Sequence, residues 1–216
     1  MRNLKPAKAA MVMGLLLFFA GCFHSAPSKF YRLSPIEDEA AATKSRGSLV
    51  LGVGPVSIPG YLDQPQIAVR LGENSLSYSE YHRWAEGLKQ NLAWTISENL
   101  AGLLGTEQVY TFPWDQSGPV DYQVTIDVIR FEGTQQGQAE FTARWRVLDR
   151  SGRIVVPMRR SSFVEVAASN TYPEWVAALS KAAADLSSEI AAAVLKARGK
   201  RRPPDGKEPH KGHRNG

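Results

Sequence analysis

The chain has 216 residues, 43% hydrophobic and 22% charged, a balance that excludes a wholly disordered, collagen-like or polytopic membrane protein. Its net charge is +5, but residues 1–21 carry +3 and residues 196–216 carry +6, so that residues 22–195 carry −4 and nucleic acid is not the expected partner. A single cysteine excludes an internal disulfide framework and a multi-cysteine metal site.

The N-terminus predicts a lipoprotein signal peptide over residues 1–21. Three basic residues precede a ten-residue apolar run, MVMGLLLFFA, which is half the ~20 residues that a membrane-spanning helix needs. Phe19-Ala20-Gly21-Cys22 follows it and resembles the bacterial lipobox. This resemblance implies lipidation of Cys22, cleavage after Gly21 and acylation of the new amine, which together anchor a protein firmly. The alternative is an incidental cysteine in an ordinary secretory signal.

The next segment, residues 22–46, is rich in Ser, Ala, Pro and charge and is expected to be a tether. Phe30-Tyr31-Arg32-Leu33 interrupts it with an apolar patch that could dock as an edge strand. Phe23, rather than Asp, follows the cysteine. By resemblance to enterobacterial sorting rules, this implies the inner leaflet of the outer membrane, facing the periplasm.

A single folded domain is expected over residues 47–197. Its first half predicts a strand over 48–58, a proline-rich loop, and a hairpin of strands 66–71 and 75–79. Apolar residues then recur three or four apart from Trp84 to Leu104, which predicts an amphipathic helix ended by Gly105.

The second half predicts four strands, over residues 109–112, 122–128, 139–147 and 153–166. Because short turns join the last three, these strands should be antiparallel. A second helix follows, with Thr171 and Glu174 as its capping box. One sheet and two amphipathic helices predict an α/β fold, a layered sandwich whose mixed and largely antiparallel sheet packs with two main helices.

The last segment, residues 198–216, is expected to be a basic disordered tail, because it has almost no apolar residue to build a core. The alternative is electrostatic contact with anionic lipid head groups or an acidic partner.

No catalytic or metal site is indicated by the sequence. His82 is the only histidine of the predicted domain, at the expected start of the first helix, and no Gly-x-Ser-x-Gly motif accompanies it. Gly52-Val53-Gly54 leads into Pro55 instead of a third glycine and a helix, which excludes a dinucleotide fingerprint. We therefore expect no enzyme, no cofactor and no metal.

The candidates for partner contact are aromatic and arginine residues in the Tyr61 loop, at the start of the first helix, at a strand end and in mid-strand, because Trp, Tyr and Arg are enriched at interface hot spots. Trp145 alternates with Phe141 onto the predicted core face, which places Arg144 on the opposite face. The candidate partner-binding residues are Tyr61, Leu62, Asp63, Arg83, Trp114 and Arg144.

Several segments of the domain form a recognisable set. They are Val53-Gly54-Pro55-Val56, PGYLDQPQ at 59–66, Arg83-Trp84-Ala85-Glu86, Glu98-Asn99-Leu100, Pro113-Trp114, Ala143-Arg144-Trp145 and Ala178-Leu179-Ser180. Together they resemble the ABC-type transport auxiliary lipoproteins, the PqiC-like group, across roughly residues 28–195.

The resemblance implies a non-catalytic, outer-membrane-anchored periplasmic lipoprotein. It would be an accessory subunit of an MCE-type system for intermembrane lipid transport or membrane integrity, docking the envelope-spanning bridge to the outer membrane. Its expected partners are an MCE-domain periplasmic protein, an inner-membrane transport component and, as a further option, copies of itself. The alternative is an envelope scaffold or activator lipoprotein for cell-wall synthesis or secretion, because fold does not separate such functions.

Overall fold

A computed structural model describes residues 27–35, 49–114 and 119–201. The predicted signal peptide, Cys22 and the tail after residue 201 lie outside the described residues. The strands are β1 (Lys29–Tyr31), β2 (Leu51–Ser57), β3 (Gln66–Gly72), β4 (Ser75–Trp84), β5 (Val109–Thr111), β6 (Tyr122–Thr134), β7 (Gln138–Asp149) and β8 (Ile154–Val166). The helices are α1 (Leu88–Leu104) and α2 (Tyr172–Arg201).

All eight strands belong to one mixed sheet. Strands β6, β7 and β8 are antiparallel neighbours, joined by the tight turns that the sequence indicated. Strand β3 is antiparallel to β4, whereas β1 pairs with β4, and β2 with β5 and β6, in parallel. The predicted α/β fold with a mixed sheet and two helices is confirmed.

Strand β6 lies at the centre of the sheet and pairs with β2, β3 and β7. Along one edge its first half pairs with β2, from Leu51 opposite Tyr122, and its end pairs with β3, from Val69 opposite Gly133. Its other edge pairs with β7 over nearly the whole length. The loop between β2 and β3, residues 58–65, therefore leaves the sheet beside the middle of β6.

Both helices pack on the same face of the sheet and against each other. Trp145, Phe131 and Phe141 are fully buried beneath them, as the alternation in β7 predicts for Trp145 and Phe141. A hydrogen bond of 3.3 Å joins Asn99 Nδ2 on α1 to Ser187 Oγ on α2. The opposite side of the sheet is called the outer face below.

The predicted start of the first helix is wrong. Trp84 ends strand β4, where it lies opposite Tyr31 and donates its N–H to Pro65 O at 2.8 Å. Helix α1 begins four residues later, at Leu88, after Gly87. Trp84 continues the helical spacing of Leu88 because both side chains enter the same core, so periodicity alone could not separate strand from helix.

Residues beyond both ends of the predicted domain, 47–197, also belong to the fold. The Phe30–Leu33 patch docks as strand β1, and Leu33 is buried. Helix α2 continues to Arg201, through the first residues of the predicted tail. Helix α1 ends as expected at Gly105, whose φ of 63° is left-handed, and the next N–H, of Thr106, bonds Ala101 O.

Two buried tryptophans give a stability prediction. Trp145 Nε1 donates to Ser161 Oγ at 3.0 Å, whereas Trp175 Nε1 is buried with no partner among the described residues. A lost hydrogen bond costs about 0.5–1.5 kcal/mol, while removing an unpaired buried donor relieves a penalty. Trp145→Phe is therefore expected to destabilise the protein more than Trp175→Phe, measured by urea unfolding. Equal losses would contradict this difference.

Candidate partner-binding surface

A row of polar side chains crosses the centre of the outer face. Asp127 on β6 accepts a hydrogen bond from Ser57 Oγ on β2 at 2.8 Å, and its other oxygen lies 3.1 Å from Arg144 Nη2 on β7. These residues are direct cross-strand neighbours. The Arg144 and Asp127 side chains are 54% and 48% exposed, so the pair remains accessible to a partner.

Further cross-strand pairs extend this polar row. Arg146 Nε lies 3.3 Å from Thr125 Oγ1, and Arg130 lies 3.1 Å from Glu140. An accessible ion pair such as Arg130–Glu140 contributes little to stability, about 0–1 kcal/mol. Along β7, outward-facing polar residues alternate with core residues. This alternation was visible in the sequence, and it placed Arg144 correctly on the face opposite Trp145.

Trp114 lies flat on the outer face at its β5 edge. A Cβ on Gly52 would come within 2.8 Å of the Trp114 ring, so only glycine allows this approach. Phe112 meets the same ring edge-on at 5.5 Å between centroids and is 54% exposed. Aromatic pairs of this geometry attract each other beyond their buried area, and here they leave an exposed apolar surface beside the polar row.

The Tyr61 loop covers a buried ion pair at the end of β6. The Tyr61 hydroxyl donates to Glu132 Oε2 at 2.7 Å, and Arg70 on β3 pairs with the other oxygen of Glu132. The Glu132 side chain is 0% exposed. Burial, then the hydrogen bond to the Glu132 carboxylate, raises the pKa of Tyr61, so this phenol stays protonated and acts as a donor.

The three candidate residues of this loop differ in exposure. Tyr61 is half-buried, Leu62 is buried and Asp63 is exposed. Asp63 lies in a turn, where its backbone N–H donates to Gly60 O at 3.3 Å. Asp63 is thus the member most available to a partner, whereas Tyr61 and Leu62 hold the loop in place.

Arg70 and Glu132 were not found by sequence reasoning. Ile129 is an extra residue in β6, because Val128 lies opposite Ala143 but Arg130 lies opposite Thr142. This bulge changes the phase of the alternation, so that Glu132 has no distinguishing pattern in the sequence.

Arg83 lies on the outer face at the opposite edge of the sheet, beside Phe30 of β1. Its Nε donates to Glu80 O at 3.2 Å. The structure therefore places Tyr61, Arg83, Trp114 and Arg144 on one side of the sheet, although they are spread from edge to edge and do not form one compact cluster.

His82 lies on the helix side of the sheet and not at the start of α1. Its ring stacks on Tyr172 at 3.9 Å between centroids, and its Nδ1 is 2.6 Å from the Tyr31 hydroxyl. Burial, with a smaller effect of the Lys29 charge, lowers the pKa of His82. The neutral ring is therefore the form that the fold favours.

This environment predicts a pH dependence. Below the ordinary histidine pKa of 6.5, the unfolded chain binds a proton before the folded protein does, so the free energy of unfolding should fall as the pH decreases. His82→Gln removes this contribution and is expected to flatten the profile between about pH 7 and 5. Parallel profiles for the two proteins, measured by urea unfolding, would contradict it.

A groove of about 590 Å³ separates residues 30–35 from the first turns of α2. Arg32, Ser180 and Lys181 line it together with apolar side chains. In residues 27–35, 49–114 and 119–201, no group of three or more His, Cys, Asp or Glu side chains is placed to hold a metal ion. Neither helix in this part of the chain is long and apolar enough to cross a membrane.

The sequence of the folded region matches a known protein family. The pattern of the ABC-type transport auxiliary lipoprotein component matches residues 31–191, from β1 to the last turns of α2. The chain is therefore a member of the ABC-type transport auxiliary lipoprotein family, as the resemblance of its motifs predicted.

Named relatives agree with this class. The chain is 26% identical over 179 residues to the intermembrane transport lipoprotein PqiC of Escherichia coli K12, covering 81% of this chain and 92% of the relative. The PqiC of Shigella flexneri matches equally.

Solved structures share the fold. Protein XCC0632 of Xanthomonas campestris has a TM-score of 0.63 and 21% identity, covering 80% of this chain and 98% of that one. The crystal structure of an uncharacterized protein has a TM-score of 0.65 and 19% identity, covering 78% and 99%. These likenesses concern architecture alone.

Proposed function

We propose that this chain is a non-catalytic accessory subunit of an MCE-type system that moves lipids between membranes or preserves membrane integrity. It is anchored through lipidated Cys22 to the inner leaflet of the outer membrane and faces the periplasm. It docks an envelope-spanning MCE-domain protein, which in turn works with an inner-membrane transport component. The family match and the PqiC relatives support the transport role.

The outer face is the observation that carries the docking role. Both helices cover the other side of the sheet. The outer face offers a half-exposed charged pair, Asp127 and Arg144, and an aromatic pair of the exposed Phe112 and the half-buried Trp114. Aromatic and arginine side chains are enriched at interface hot spots. A docking surface is therefore favoured over lipid carriage, which needs an enclosed apolar cavity and not the open, partly charged groove beside α2.

Site-specific crosslinking in cells tests this proposal. A photoreactive amino acid replaces Arg144 on the outer face in the full-length, lipidated protein, and the matched control replaces Glu98, which is exposed on α1 on the helix side. We expect the Arg144 position to capture an MCE-domain protein and the Glu98 position to capture none.

The outcomes separate the two candidate functions. Capture of cell-wall synthases or secretion components alone at Arg144 would overturn the transport role and favour an envelope scaffold or activator. Capture of the MCE-domain protein from Glu98 but not from Arg144 would keep the transport role and overturn the assignment of the outer face. The charge reversal Arg144→Glu should reduce capture at a neighbouring outer-face position without unfolding the protein, because its ion pair is exposed.

A further inference from the structure

The distance between the lipid anchor and the fold is short. Strand β1 begins at Lys29, seven peptide steps after Cys22, and an extended chain of that length spans at most about 25 Å. Helix α2, with 30 residues, is about 45 Å long. If Cys22 carries the lipid, as the proposed function requires, β1 lies within about 25 Å of the anchor, a distance shorter than α2 alone.

The edge formed by β1 and β4 carries side chains suited to a lipid surface. Phe30 is 64% exposed and lies beside Arg83 on the outer face, and Tyr81, two residues before Arg83 in β4, is 44% exposed. Lys29 is exposed on the same strand as Phe30. Aromatic rings and lysines with long apolar stems are favoured at the boundary between head groups and acyl chains.

This edge is fixed to the body of the protein. Ala85 donates its N–H to Tyr31 O at 2.8 Å, and Leu33 donates its N–H to Asn91 Oδ1 at 2.9 Å. The Arg32 guanidinium stacks on the Trp94 ring at 3.8 Å. A contact made by Phe30 therefore orients the whole domain.

We propose that the β1–β4 edge, comprising Lys29, Phe30 and Tyr81, contacts the lipid surface that holds the anchor, with the Phe30 ring at the head-group boundary. The proposal rests on the lipidation of Cys22 in the proposed function. The short linker excludes a distant position of this edge, and the exposed aromatics supply the affinity for lipid. The contact fixes which side of the domain faces the membrane.

Depth-dependent fluorescence quenching tests the contact. The acylated full-length protein is reconstituted in vesicles of phosphatidylethanolamine and phosphatidylglycerol that contain a nitroxide-labelled lipid. Because Cys22 is the only native cysteine and is blocked by its thioether, one introduced cysteine takes an environment-sensitive fluorophore. The variants are Phe30→Cys and Tyr81→Cys at the proposed contact and, as the control, Val164→Cys on β8, which pairs only with β7 and forms a different edge of the sheet; Val164 is 54% exposed.

We expect the nitroxide lipid to quench the fluorophore at positions 30 and 81 several-fold more strongly than at position 164. Equal weak quenching at all three positions, in protein that floats with the vesicles, would overturn the membrane contact and leave the anchor intact. A blue-shifted but unquenched signal at position 30 would also overturn it and show that protein, such as a second copy, covers this edge. Loss of vesicle flotation, with no lipid mass on Cys22, would overturn the anchor of the proposed function and this inference with it.

Discussion

Replacing Arg70 with methionine is expected to lower the free energy of unfolding by about 3–5 kcal/mol, because it leaves the Glu132 carboxylate buried without its cation. The Glu132 side chain is 0% exposed, and the Tyr61 hydroxyl alone remains as a charge-stabilising donor from the loop. Tyr61 and its loop should loosen at the same time. Urea unfolding followed by tryptophan fluorescence measures the loss.

The matched control is Arg144→Met, which breaks an ion pair with Asp127 on the same face of the same sheet. Both partners there are about half exposed, and such pairs contribute about 0–1 kcal/mol. The double variant Arg70→Met/Glu132→Leu should recover most of the loss, since apolar replacements of a buried pair are often neutral. Equal losses for Arg70→Met and Arg144→Met would show that burial does not govern the strength of these pairs.

The second large effect is expected at Leu33, in the segment that the sequence assigned to the tether. Leu33 is 1% exposed, and Leu→Ala substitutions at buried sites cost about 2–5 kcal/mol. Leu33→Ala should therefore destabilise the whole domain and weaken the pairing of β1 with β4. Thermal or urea unfolding gives the size of the effect.

Phe30→Ala is the control within the same segment. Its side chain is 64% exposed, and surface substitutions usually change stability by less than about 0.5 kcal/mol. If the segment were a free tether, both substitutions would be neutral. A large loss at Leu33 with none at Phe30 is the result that the structure requires.

The antiparallel strands β6, β7 and β8 were predictable because residues close together in the sequence determine them. Alternation from Tyr122 onward and the short turns near Gly137 and Gly152 fix strands β6 to β8 and the opposite orientations of Trp145 and Arg144. The end of α1 at Gly105 was equally local, since a left-handed residue there favours glycine.

What could not be predicted depends on contacts between distant residues. Arg70 and Glu132 are separated by 62 positions, and the parallel pairing of β1 with β4 brings Tyr31 to Trp84 across a similar gap. Trp84 had a helical spacing, but this non-local pairing made it a strand residue. Of the candidate surface, Arg144 was placed by local pattern, whereas the position of Trp114 against Gly52 and the support beneath Tyr61 appeared only with the fold.

Helix α2 separates two ends of the chain that differ in chemistry. Its first residue, Tyr172, lies next to Tyr31 of β1, on the side of the expected lipid anchor, and its last, Arg201, is about 45 Å away along the helix axis. The basic sequence that follows Arg201 thus begins at the end of α2 that is farther from β1. If Cys22 carries the proposed lipid anchor, an anionic ligand of that sequence would meet the chain at the end of α2 farther from the anchor, so the two attachments would not compete for one site.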